Sequence, residues 1–197
     1  MDIVEIIEIF ALVTGVPYIV LEVMQKNAMW YFGIASGLAC AVSFAIQSLW
    51  ASMGLNVYYV VMSIWGLYQW KKDSGKLSDE TGDIDATVHL TKLTWKTVVW
   101  SVVIFVVGTL CLITLLYILD DAESRADAVI TVMSAVGMYW LAKAYPQHWF
   151  IWIVADLLLT GLCASTGMYW MAALYLLYVA SSLFGFFHWR KNGRYVA

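Results

Sequence analysis

Seven stretches of this chain are apolar over close to the span of an α-helix that crosses a bilayer, which takes about 20 residues. They fall at roughly 3–24, 28–49, 52–70, 95–119, 128–144, 147–165 and 168–189. Composition leaves no soluble alternative. The chain of 197 residues is 62% hydrophobic and 13% charged, with a mean hydropathy of +0.76. Soluble domains sit nearer one half and one quarter. The expected class is therefore an all-α integral membrane protein with seven transmembrane helices in contact with the lipid bilayer.

Most of the connections are short, as in a compact bundle. The exception is "KKDSGKLSDETGDIDATVHLTKLT", residues 71–94, read as a solvated polar loop whose end enters the next helix. Basic residues set the orientation, because they are retained on the cytoplasmic side. With the N-terminus outside, the inner side receives Lys26, Lys71, Lys72, Lys76, Lys92, Lys96, Lys143, Arg190, Lys191 and Arg194, and the outer side only Arg125. The expectation is N-out, C-in, with both termini accommodated by an odd number of spans.

The second half of the chain repeats the first. "YYVVMSIWGLYQWKK" (58–72) aligns with "LYVASSLFGFFHWRK" (177–191) at an offset of 119. Tyr59 meets Tyr178, Ser63 meets Ser182, Gly66 meets Gly185 and Trp70 meets Trp189. The register runs back through Trp30 and Trp149, Ile34 and Ile153, to Glu8 and Asp127. The expected organisation is a first three-helix bundle (1–70), a cytoplasmic loop (71–94), a linker helix (95–119) and a second three-helix bundle (120–197). One intervening span gives both triplets the same sense, a 3+1+3 parallel repeat of the kind that builds a substrate pathway at the repeat interface. A scaffold that merely arose by duplication would show the same pattern.

Several function classes fall away. The net charge of −3 suggests no nucleic-acid partner. Asp2, Glu5 and Glu8 stand where a secretory signal would carry lysines, so the N-terminus reads as mature. Cys40, Cys111 and Cys163 each lie in an apolar run with no CxxC, which argues against disulfides and zinc. His89, His148 and His188 lie in a loop or at helix ends, so neither an intramembrane metal cluster nor a catalytic histidine is expected. No mid-span lysine is available for a retinal Schiff base, and no glycine loop for ATP. No cofactor is implied, and the chain is not read as an enzyme.

What remains is a polar and aromatic constellation. Trp149, Trp152, Asp156 and Thr160 share one face of the sixth helix at spacings of three, four and four. The matched face of the second helix reads Trp30, Gly33, Gly37, Ala41. Large and acidic opposite small suggests a cavity for a ligand. Equally, Gly33 and Gly37 form a GxxxG pair that lets helices approach. Asn56, Tyr59, Ser63 and Gly66 share a face of the third helix, with Tyr58 beside it, and Tyr175, Tyr178, Ser182 and Gly185 the matched face of the seventh. Tyr175 and Tyr178 lie too far inside for an interfacial belt, which accounts instead for Tyr68, Trp70, Trp189, Trp30 and Trp149.

A carboxylate at the middle of a span costs about 2.5–3.5 kcal/mol on insertion scales and ordinarily faces a wet cavity or a partner. No lysine or arginine lies deep within any span. Asp156 is therefore a structural node bonded by tyrosine and threonine hydroxyls, the counter-ion of a cationic ligand held by tryptophan, or a proton relay.

"NVYYVVMSIWGLYQWKK" and "WIVADLLLTGLCASTGMYWMAALYLLYVASSLFGFFHWRK" resemble the PnuC family of bacterial vitamin transporters, over essentially the whole chain. The resemblance implies a SWEET-like pair of three-helix bundles in the inner membrane, assembling as a homotrimer. It implies facilitated diffusion of nicotinamide riboside, or of thiamine or riboflavin in close relatives, with cytosolic phosphorylation trapping the vitamin. The family's WxxxN/D element falls on Trp152 and Asp156, and its YxxY face on Tyr175 and Tyr178. Nicotinamide riboside members often carry glutamine where Asn56 stands, and "WGLYQW" replaces a more aromatic "YGWYxW". These departures bring thiamine nearly level with nicotinamide riboside. Both are flat cations. The expected substrate-binding residues are Trp152, Asp156, Asn56, Tyr59, Tyr175, Tyr178, Gly33 and Gly37.

Overall fold

The computed structural model describes residues 17–46, 50–81, 88–118, 125–165 and 169–196. Asp2, Glu5 and Glu8, and most of the acidic stretch before Arg125, lie outside the described residues. The described chain is helical throughout, apart from one short strand pair. Helix α1 is described over 17–23. It is followed by α2 (Ala28–Ile46), α3 (Trp50–Thr81), β1 (His89–Leu90), α4 (Trp95–Ile118), α5 (Arg125–Ala142), α6 (His148–Ser165), α7 (Tyr169–Asn192) and β2 (Arg194–Tyr195).

Among the described residues, α2, α4, α6 and α7 are each long and apolar enough to cross a membrane. α2 packs on α3 and α6 on α7, while α5 touches α3, α4 and α6. Of α4 only Ser101 and Leu116 are buried, and Val102, Ile104, Val107 and Leu110 are exposed. In water a patch of that size would drive association; against lipid tails it costs nothing.

Two turns are built alike. In the α1–α2 connection Gln25 N–H donates to Glu22 O at 2.9 Å and Lys26 N–H to Leu21 O at 2.8 Å. In the α5–α6 connection Ala144 N–H donates to Leu141 O at 2.9 Å and Tyr145 N–H to Trp140 O at 3.0 Å. Each is a Schellman ending, in which a left-handed residue lets the chain satisfy the last helix carbonyls. The left-handed residues are Gln25 (φ 49°) and Ala144 (φ 54°), 119 positions apart like the rest of the repeat. Glycine is the usual occupant, but Gln25 has a second task. Its Oε1 accepts from His89 N–H at 2.6 Å and its Nε2 donates to His89 O at 2.8 Å.

The stretch read as a solvated loop is therefore largely built into the fold. α3 runs on to Thr81, since lysine and glutamate are good helix formers and no proline interrupts. Gln69 Nε2 also bonds Asp73 Oδ2 at 2.8 Å across one turn. Val88, His89 and Leu90 are buried. β1 pairs in parallel with β2, Arg194 N–H donating to Val88 O and Val196 N–H to Leu90 O, both at 2.9 Å. Thr91 N–H reaches Ala144 O at 3.1 Å. One short segment thus ties both turns and the C-terminal tail together.

Trp30, Trp70, Trp149 and Trp189, expected in an interfacial belt, are instead buried as one cluster, while Tyr68 is exposed. Ring centroids lie 4.9 Å apart for Trp30–Trp70, 5.7 Å for Trp70–Trp189 and 5.6 Å for Trp149–Trp189. Glycine makes this possible: a Cβ on Gly66 would overlap the Trp30 ring, and one on Gly185 the Trp149 ring. α3 also caps α5, and α7 caps α1. Trp70 Nε1 donates to Leu141 O at 3.2 Å, and Trp189 Nε1 to Glu22 O at 3.1 Å and Val23 O at 3.0 Å.

Candidate functional site

Above this tryptophan floor lies a cavity of about 420 Å³, in the size range of small-molecule sites. All eight residues singled out in the sequence line it: Gly33, Gly37, Asn56, Tyr59, Trp152, Asp156, Tyr175 and Tyr178. They arrive from α2, α3, α6 and α7, the helices whose matched faces the repeat predicted. None of the described residues of α4 contributes.

The glycines do both jobs that were open to them. A Cβ on Gly33 would come within 3.0 Å of the Tyr18 ring and of Ser63 Oγ, so its absence leaves room for the cavity wall. A Cβ on Gly37 would lie 2.9 Å from Val60 Cγ2. There the missing side chain lets α2 and α3 pack closely while the same residue faces the cavity.

The aromatic wall is fixed by contacts behind it. Tyr58, beside the cavity face of α3, donates to Ala135 O at 2.9 Å, and its ring lies 6.1 Å from that of Tyr59. Both anchor α3. Tyr175 and Tyr178 meet edge to face at 6.0 Å. Among the described residues the indole N–H groups of Trp149 and Trp152 and Oγ of Ser63 have no hydrogen-bond partner. All three residues line the cavity. Buried donors without partners are costly, and a ligand carrying oxygen atoms would satisfy them.

Asp156 is buried on the α6 face of the cavity. The structural-node reading drew on threonine and tyrosine hydroxyls. Thr160 Oγ1 spends its proton on the backbone carbonyl of Asp156, at 2.7 Å, and not on the carboxylate.

The lining also includes residues the sequence does not single out, among them Tyr18 and Glu22 of α1 and Met138 of α5, and Trp149, expected both on the ligand face of α6 and in the belt. Glu22 is buried, with Oε1 3.3 Å from Nε2 of His148, itself fully buried at the start of α6. The signal for Glu22 was the one used for Asp156, a carboxylate inside an apolar run. The repeat offered a second: Tyr18 and Glu22 stand where the other half has Gly137 and Leu141. Each half is bulky and acidic where the other is small or apolar. Two carboxylates and no lysine or arginine line the described cavity.

Comparisons with known proteins show the family of the chain. The family model described as nicotinamide mononucleotide transporter matches residues 5–191. The chain is similar to the nicotinamide riboside transporter PnuC of Haemophilus influenzae, 25% identical over 191 residues, covering 91% of this chain and 76% of that one. It is similar to the riboflavin/roseoflavin transporter RibM of Streptomyces davaonensis, 26% identical over 173 residues, covering 86% and 78%. Its fold matches the crystal structure of the vitamin B3 transporter PnuC with a TM-score of 0.68 at 25% identity, over 92% of this chain and 79% of that chain. The chain belongs to the nicotinamide mononucleotide transporter family, the PnuC-type vitamin transporters, and is a multi-pass membrane transporter rather than an enzyme.

Proposed function

We propose that the protein is a facilitated-diffusion carrier for a flat cationic vitamin, nicotinamide riboside first and thiamine close behind. The observation that carries this reading is the cavity itself, lined by Trp149, Trp152 and two carboxylates with no basic side chain among the described residues. A pyridinium or thiazolium gains both from the π faces of tryptophan and from a carboxylate out of bulk water. The kinship with a riboflavin transporter makes that neutral vitamin the competing ligand, and the acidic wall disfavours its carbonyl-rich ring.

The proposed binding residues are Trp152, Asp156, Asn56, Tyr59, Tyr175, Tyr178, Gly33 and Gly37. In this account seven spans form a 3+1+3 parallel, SWEET-like repeat in the inner membrane. The lysine and arginine bias supports an outer N-terminus and an inner C-terminus, which puts the β1–β2 pair and the tryptophan cluster on the cytoplasmic side. Rocking of the two triplets then exposes the cavity to either side. Phosphorylation of the vitamin in the cytosol draws uptake inward, and three copies assemble into a trimer.

Proteoliposome uptake tests the mechanism. Uptake should equilibrate the vitamin at the same rate with and without proton and sodium gradients. Accumulation above the outside concentration that collapses with an ion gradient would instead make Asp156 part of a coupled carrier.

A further inference from the structure

Glu22 and His148 lie side by side, both buried. Nδ1 of His148 lies 2.8 Å from Tyr145 O. A carbonyl only accepts, so Nδ1 carries a proton. Nε2 then faces Oε1 of Glu22 at 3.3 Å. Neither of these two buried atoms has a hydrogen-bond partner among the described residues, so the Glu22 carboxylate keeps an unsatisfied acceptor where it lines the cavity.

Asp156 lines the cavity from α6 and Glu22 from α1. The unpartnered donors Trp149 Nε1, Trp152 Nε1 and Ser63 Oγ already serve the acceptor atoms of a ligand. Resting on the reading of this cavity as the vitamin site, we propose that Glu22 contacts the ligand as an acceptor for an exocyclic amino or amide N–H₂ group. The site then selects flat heteroaromatic cations that carry such a group. The aminopyrimidine of thiamine and the carboxamide of nicotinamide riboside both qualify. A ring edged with carbonyl oxygens sets acceptor against acceptor.

The test uses two ligand pairs on the purified full-length protein: thiamine with its 4-oxo analogue, and nicotinamide riboside with its N,N-dimethylamide. Within each pair the positive charge is kept and the N–H₂ group is lost. Whichever pair binds, the N–H₂ member should bind about tenfold tighter, the worth of one hydrogen bond to a buried acid. Glu22→Met should bring that ratio close to one. Glu22→Gln should keep it, because the amide can face His148 with its nitrogen and the ligand with its oxygen. Asp156→Asn should weaken both members alike and leave the ratio standing. A ratio near one in the unsubstituted protein overturns the role of Glu22 even if Glu22→Met fails to fold, as does a ratio that survives Glu22→Met. Failure of every cation to bind would instead bring down the vitamin-site reading itself.

Discussion

Asp156 is half of the cavity's acidity and the side chain on which its charge preference rests. Replacing it with asparagine keeps the shape and removes the charge. Affinity for a cationic vitamin should fall tenfold or more, and affinity for a neutral analogue of the same ring by a factor of about two or less, measured by titration. Equal losses would return Asp156 to a structural node. His89 makes a different prediction, since it lies outside the spans. Burial pushes its imidazole from 6.5 down to about 4, with Asp73 opposing. The folded state thus holds His89 neutral while the unfolded chain takes up a proton below about 6.5. Stability should be level above that pH and fall as pH drops from 6.5 toward 4, by up to about 3 kcal/mol. His89→Gln should flatten the slope in thermal melts; an unchanged slope would show that other groups titrate. Asp156 was readable in the sequence because a lone carboxylate in an apolar run has few innocent explanations. Glu22 met the same test, but it stands two residues from the end of its run, where a charge is cheap. Its importance comes from His148, which only the folding of the chain brings beside it.

Among the helices, α3 and α7 carry the most weight, since Trp70 of α3 caps α5 and Trp189 of α7 caps α1. Gly66 and Gly185 set how deeply Trp30 and Trp149 seat. Gly66→Val or Gly185→Val should cost about 1–3 kcal/mol through overpacking, lowering the melting temperature in detergent. Gly54 and Gly161, around which a Cβ meets nothing within 4 Å, should tolerate alanine with little change. A matched loss at all four would mean that the tryptophan contacts carry no special energy. Helix boundaries within the membrane followed apolar run length closely. The exit of α3 did not, because a polar helix and a polar loop share a composition and differ only in their neighbours. Tryptophan was misread for a similar reason: near the end of a span it suits both an interface and a buried cap, and only the facing glycine decides.

For the molecule as a whole, the segment 88–91 is the piece on which the closed end depends. It joins Gln25, Ala144 and the tail at 194–196 through hydrogen bonds to its own backbone. Opening the cavity toward that side requires this clasp or the tryptophan cluster beneath it to part. Deleting residues after Gly193 removes the β2 half of the clasp, and should speed vitamin exchange in proteoliposomes while leaving binding affinity within about threefold. Slower exchange at equal affinity would assign the tail to assembly instead. The sequence offset of 119 that pairs Gly66 with Gly185 also pairs the left-handed residues Gln25 and Ala144. The clasp was not legible in the sequence, because a two-residue strand pairing across more than 100 positions leaves no local pattern.

The central claim is that one acidic, tryptophan-walled cavity holds a flat cation. The most direct test is to titrate the purified protein separately with nicotinamide riboside, thiamine and riboflavin, following tryptophan fluorescence. The account predicts saturable quenching by at least one of the two cations, weakened at least tenfold in Asp156→Asn, with riboflavin binding far more weakly. Tight riboflavin binding that is indifferent to Asp156→Asn would contradict it.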